Sequence, residues 1–189
     1  MSSWQAPPAA APQPGPAGFV YADLPNRIIA YIIDIVILAI ANIIITAVIG
    51  AVGLNISTFS LQNGFTYNYL AVVVVGIIGL IISAGYFIYT WTTMRGTIGM
   101  KALGMQIGNE GDGATLTQNQ AIKRWIYVGG WISIVQIVNP LPLLGLLVGL
   151  AGFIYIVYLL YTTAQSPTKQ GYHDHAAKTM VVKATRSVA

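Results

Sequence analysis

The sequence predicts an all-α membrane protein with four transmembrane helices, both termini cytoplasmic, and a small cytoplasmic polar segment. Three observations carry this. Of 189 residues, 56% are hydrophobic and only 7% charged, with a mean hydropathy of +0.69, whereas soluble domains carry about 25% charged residues. The apolar residues fall in runs long enough to cross a ~30 Å hydrocarbon core at ~1.5 Å per residue. The nine positive residues lie only where such spans would leave them on one side of the bilayer. Cysteine is absent, which removes disulfides, thiolate chemistry and thiolate metal sites. The net charge of +4 reads as membrane orientation, and no nucleic-acid partner is expected.

Residues 1–18 are Ala/Pro-rich and cannot bury a core, so a disordered tail is expected, with Trp4 as the anchor should it dock to a partner. They lack a positive region and an apolar core, so no signal peptide is expected. Pro25-Asn26 reads as a helix start with Asn26 as N-cap. The first helix then covers about 27–50. Arg27 in its first turn opposes the helix dipole, so propensity did not select it. Asp34, two turns in, costs roughly 2.5–3.5 kcal/mol in a bilayer unless compensated. It therefore needs a partner.

Residues 51–68 are uncharged and contain Asn63-Gly64, a tight-turn signal, so an outer loop with a short hairpin is expected. The second span covers about 69–90. Its Gly76, Gly79 and Ser83 share one face and predict close helix approach, while Tyr86, Tyr89 and Trp91 read as an aromatic belt at the inner interface. Residues 94–124 form the main polar segment. Within it, 97–105 reads as an interfacial turn of helix, and 105–107 with 114–116 as a short hairpin.

The run from Trp125 to Pro167 is uncharged and breaks at Asn139-Pro140-Leu141-Pro142. Two more spans follow, about 122–138 and 143–163. The uncharged part of the third, 125–138, covers only about 21 Å, so it crosses only if Lys123 and Arg124 snorkel. The fourth presents Gly145, Gly149 and Gly152 as a small-residue face. In the basic tail, Thr179–Lys183 is β-prone and expected to pair with Leu103–Ile107.

Several of these residues together resemble the RDD family of prokaryotic membrane proteins. They are Arg27 opening the first helix, Asp34 within it, the segment Gly96 to Met105, Arg124 before the third span, and the run His173 to Val181. The resemblance covers about 20–183, making 19–183 one membrane domain with 184–189 as a tail. It departs from the family pattern where the basic residue usual after Gly99 stands at Lys101. The family's arginine and two aspartates carry over to Arg27, Asp34 and Asp174, and the resemblance implies a cytoplasmic (inner) membrane location. Transport, including cation/proton exchange, is the customary assignment for some members; others accompany larger membrane systems.

Arg27 and Asp34 are seven apart, within about 20° on a helix face but about 10.5 Å apart along the axis. They are aligned but not directly bonded within one helix unless the arginine stretches inward, so each is expected to meet a charge from another helix or from the tail. Arg124 and Asp174 are the natural candidates, which predicts one network of Arg27, Asp34, Arg124 and Asp174. A clamp joining the helices is the favoured role; a proton or cation relay through Asp34 is the alternative, with Asn42, Thr46, Gln136 and Asn139 as the only polar steps beyond it.

Other chemistry finds little support. His173-Asp174-His175 resembles a ligand run, but even read as an extended stretch it has no cysteine beside it and few other candidate ligands exist. The glycines of 96–113 lack the Gly-Lys-Ser/Thr of a phosphate loop, and Glu110 and Asp112 lack calcium-loop spacing. No nucleophile motif is present. No catalytic site, metal or cofactor is therefore expected. The expected role is an accessory or scaffold subunit of a membrane assembly, contacting the lipid bilayer and either other subunits or copies of itself. The alternative is an oligomeric transporter of a cation, proton or small solute using Asp34. The aromatic belts leave lipid or pigment contacts open.

Overall fold

The computed structural model describes residues 14–15, 19–138 and 140–184. Most of the chain is helical, with a small sheet at one end of the helices. Helix α1 runs Leu24–Ala51. It begins three residues before the expected start because Asp23, not Asn26, is the N-cap: the Asn26 backbone N–H donates to Asp23 Oδ1 at 2.9 Å. Pro25 then sits in the first turn, where its missing N–H costs nothing. Strands β1 (Phe19–Tyr21), β2 (Ser57–Ser60) and β3 (Gly64–Tyr67) flank it in sequence. The β2–β3 hairpin has the register Ser57↔Tyr67 to Ser60↔Gly64, and Gly64 adopts φ +66° at its turn, a conformation open to glycine at no steric cost.

Helix α2 (Tyr69–Thr93) is capped by Asn68, whose side chain accepts from the Ala71 N–H. A short helix α3 (Ile98–Ala102), capped by Thr97, leads into β4 (Met105–Asn109). The third helical segment is continuous but uneven: α4 (Gln118–Trp125), a π-helical turn (Ile126–Gly130) and α5 (Trp131–Val138). Its start is a capping box between Thr117 and Gln120. Helix α6 (Pro142–Gln165) follows the expected break, then α7 (Tyr172–Ala177) and β5 (Thr179–Ala184). Among the described residues three helices (α1, α2 and Leu143–Gln165 of α6) are long and apolar enough to cross a membrane. The third segment is not among them: it is divided into pieces of 8, 5 and 8 residues, and the first carries Lys123 and Arg124.

The tail strand β5 is the centre of an antiparallel sheet ordered β1-β5-β4. The expected pairing of the tail with the polar segment is present, shifted two residues, as Met105↔Lys183 to Asn109↔Thr179. Strand β1 was not expected, and the hairpin between 105–107 and 114–116 does not form. Instead β4 gives its edge to β5, and the chain turns locally through Asn109 N–H to the Ala114 carbonyl at 2.8 Å. The Ala/Pro tail lies outside the described residues except Pro14 and Gly15, where Gly15 N–H donates to the Phe19 carbonyl at 2.7 Å. Asn139 and the tail after Ala184 also lie outside them.

The buried core sits where the sheet meets the helix ends. Ala30, Phe87, Trp91, Met100, Met105, Ile107, Ala121 and Val181 form one cluster. Away from it, Ile43, Val48, Leu146 and Phe153 are each at least 60% exposed, as helices facing hydrocarbon are. The belt expectation fails for two of its three residues. Trp91 is buried with its ring tilted against Phe87 at 5.1 Å, Tyr86 turns inward, and only Tyr89 is exposed. Tyr86 bonds the Asp34 carboxylate and the Trp91 face packs against the Arg124 guanidinium, contacts that outweigh the interfacial preference of a lone aromatic.

The small-residue faces serve different neighbours. A Cβ on Gly76 would meet Ile137 of α5, whereas one on Gly79 would meet Asn42 of α1. Ser83 accepts from Trp125 Nε1 at 3.1 Å. On α6, Gly145 is buried and Gly152 takes the Trp131 ring against its backbone, while Gly149 faces open space. The π-helical turn admits its own close approach: Gly129 lies under the Tyr31 hydroxyl and Gly130 against the Trp125 ring.

Candidate functional site: two separate charge centres

The four predicted residues do not form one network. Arg27, Arg124 and Asp174 come together beneath the sheet, and Asp34 stands apart with different partners. The cause lies in the spacing along α1: both residues face inward, but about 10.5 Å of helix separates them, enough for each to meet a different layer of the cap.

In the first centre Asp174 is fully buried. Its Oδ2 accepts from Arg27 Nη1 at 2.7 Å and from the Gly171 N–H at 3.1 Å, and its Oδ1 accepts from Arg124 Nη1. Arg27 also donates from Nε to the Ala22 carbonyl at 3.0 Å and from Nη2 to the Val181 carbonyl at 3.3 Å, tying α1 to both β1 and β5. Arg124 donates to Thr179 Oγ1 at 2.6 Å and lies 5.3 Å from the Trp91 ring centroid, a cation–π distance. The centre thus joins α1, α2, α4, α7 and β5. Thr179 and Trp91 were not foreseen as members.

Burial alone would raise the Asp174 carboxyl, but Arg124, with His173 and Arg27 adding to it, holds it well below the usual carboxylate range. His173 Nε2 lies 3.4 Å from Asp174 Oδ2. Burial nevertheless pushes this histidine down from 6.5 to about 4, opposed by Asp174 and aided by the two arginines. The unfolded chain therefore takes a proton on His173 near pH 6.5 that the folded chain refuses until about pH 4. Stability should fall as pH drops through that window, by on the order of 3 kcal/mol at most. The Asp174 contribution is complete above its unfolded value and is lost only at still lower pH. Melting in detergent between pH 7 and 4.5 checks this: the midpoint should fall steadily, and His173→Gln should flatten the slope.

In the second centre Asp34, 2% exposed, accepts through Oδ1 from the Tyr86 hydroxyl at 2.6 Å and from the Gly99 N–H at 2.9 Å. The Tyr86 oxygen in turn accepts from the Ile98 N–H at 3.2 Å. Asp34 thereby fixes the start of α3 onto α1 and α2. Gly99 is required there, because a Cβ would run into the Ala30 carbonyl oxygen and lie 3.0 Å from Asp34 Oδ1. Neither Tyr86 nor Gly99 was singled out for this role. The available signal was Gly99 itself, a glycine in the first turn of a short helix within the resembled segment Gly96 to Met105.

The His173-Asp174-His175 run is helical rather than extended. In a helix residues two apart are rotated by about 200°, so the two imidazoles diverge. His175 Nδ1 instead lies 3.6 Å from Glu110 Oε1. Among the described residues no group of three His, Cys, Asp or Glu side chains is arranged to hold a metal.

Of the expected polar steps, Asn42 and Gln136 line one cavity of about 350 Å³ between α1, α2 and the third segment, with Tyr31 and Ser83. Asp34 is not among its lining residues. A family model described as the RDD family matches residues 21–178. No curated protein and no solved structure matches the chain.

Proposed function

The chain belongs to the RDD family, and from that premise we propose that it is a non-catalytic subunit of a larger assembly in a prokaryotic cytoplasmic membrane. In this reading all four helical segments cross the bilayer, with both termini and the sheet on the cytoplasmic side. The uncharged β2–β3 hairpin and the uncharged break before α6 support that orientation. One observation carries the scaffold role. Arg27, Asp34, Arg124 and Asp174 all bond to groups of their own chain that dock the cap onto the helices. The outer faces of α1 and α6 stay apolar and uncovered, available to neighbouring helices.

A second reading, an oligomeric transporter of a cation, proton or small solute, draws on the cavity lined by Asn42, Ser83 and Gln136. Purification in mild detergent separates the two. Stoichiometric partner subunits whose abundance falls when this chain is deleted support the scaffold. A lone chain or homo-oligomer that drives ion flux in liposomes, with flux lost and folding kept in Asp34→Asn, overturns it.

A further inference from the structure

A cleft of about 220 Å³ opens between α1 and α6. Ile28 and Ile32 form one wall, Ile156 and Leu160 the other, and Val128 lies behind them. All four wall residues are between 37% and 53% exposed, so the cleft faces outward. No acidic side chain lines it, and Arg27 stands at its end. A guanidinium carries five N–H donors. Among the described residues the Ala22, Asp174 and Val181 acceptors account for three of those on Arg27, which leaves two. The buried centre behind it sets two guanidinium groups against one carboxylate. Asp23, on the turn before, also attracts Arg27, but it is exposed, does not line the cleft and accepts from the backbone and side-chain nitrogens of Asn26.

We infer that this cleft is a binding site for one acidic glycerophospholipid, its phosphate on the free edge of Arg27 and an acyl chain along the α1–α6 wall. The fit is one of charge, depth and shape. Arg27 lies in the first turn of a candidate span, the level at which lipid phosphates sit, and basic pockets between helices suit anionic headgroups. Guanidinium–phosphate pairing is charge-assisted and fork-like. A neighbouring apolar helix would fill the groove but offer no acceptor to Arg27, which lines it. The site does not depend on whether the chain is a scaffold or a transporter.

Native mass spectrometry from nanodiscs holding equal phosphatidylglycerol and phosphatidylcholine tests this. One phosphatidylglycerol should be retained over phosphatidylcholine by about tenfold, as expected from one added charge-assisted contact. The double variant Ile156→Trp, Leu160→Trp fills the cleft without touching the charge centre. It should melt as the unsubstituted chain does without lipid, and lose both the adduct and the stabilisation by phosphatidylglycerol. Equal retention of the two lipids overturns the site, as does an adduct that survives in the filled variant. So does equal protection by free glycerol phosphate, or efficient cross-linking between two copies carrying Ile156→Cys. Should the filled variant not fold, the retention ratio of the unsubstituted chain decides alone.

Discussion

Asp174→Ala is expected to abolish the folded protein in detergent. The substitution leaves Arg124, almost fully buried, and Arg27, 10% exposed and bordering the α1–α6 cleft, facing each other without Asp174 between them. Removing one member of a buried ion cluster costs about 3–5 kcal/mol, because the remaining charges stay desolvated and unpaired. That is a large fraction of the ~5–15 kcal/mol that holds an ordinary domain together. The α7 turn would also lose the carboxylate that accepts from the Gly171 N–H. Size-exclusion profiles and melting curves read the result directly. A triple variant, Arg27→Met, Arg124→Met and Asp174→Leu, should recover much of the lost stability, since apolar replacement of a whole buried cluster is often neutral. Recovery of fold in the triple variant marks the centre as a clamp; a folded single variant would refute the clamp itself.

Gly99→Ala should be nearly as damaging, although it adds one methyl group. The new Cβ meets backbone, the Ala30 carbonyl, which cannot swing aside as a side chain would. Either α3 lifts from α1 or the Gly99 N–H bond to Asp34 is lost, leaving a buried carboxylate one donor short. Overpacking of this kind costs about 1–3 kcal/mol, and an underbonded buried acid adds about 1–3 kcal/mol more. Gly149→Ala is the control: open space surrounds that position, so its melting midpoint should stay the same or rise slightly as helix propensity improves. Equal behaviour of the two variants would refute the close approach of α3 to α1. Because Gly99 and Asp34 act on one contact, Gly99→Ala combined with Asp34→Asn should cost less than the two single effects added.

These two expectations divide the molecule in the same way that legibility in the sequence does. The Arg27 centre could be anticipated in part. Its three charged members stand out in an apolar chain, and each must find an opposite charge. The Asp34 centre could not, for two reasons. One of its donors is a backbone N–H, which every residue but proline carries and which no side-chain pattern marks. The other is Tyr86, whose place near a helix end reads as an interfacial ring until its partner is known. The seven-residue spacing of Arg27 and Asp34 predicted a shared face and about 10.5 Å of axial separation, but not which elements would meet each level. Depth is what assigned them to different centres.

The sheet shows the same division. The β-prone tail and the segment after α3 were recognisable as partners from their composition, and they pair as Met105–Asn109 with Thr179–Lys183. Strand β1 escaped notice because Phe19–Tyr21 is only three residues long, too short to show an alternation. It exists because β5 has a second edge to satisfy and Arg27 holds the chain there through the Ala22 and Val181 carbonyls.

From the sequence alone came the membrane class, the positions of the long apolar helices, the polar segment between them, and the residues whose charge demanded partners. Hydrophobic length and charge placement are local properties, so one chain suffices to read them. Tertiary structure decided which charge meets which: Asp174 for both arginines, and Tyr86 with Gly99 for Asp34, the acid on which the reading of α1 turned. Those pairings depend on the depth and rotation at which separate elements pack, and on backbone donors, none of which residue identity encodes.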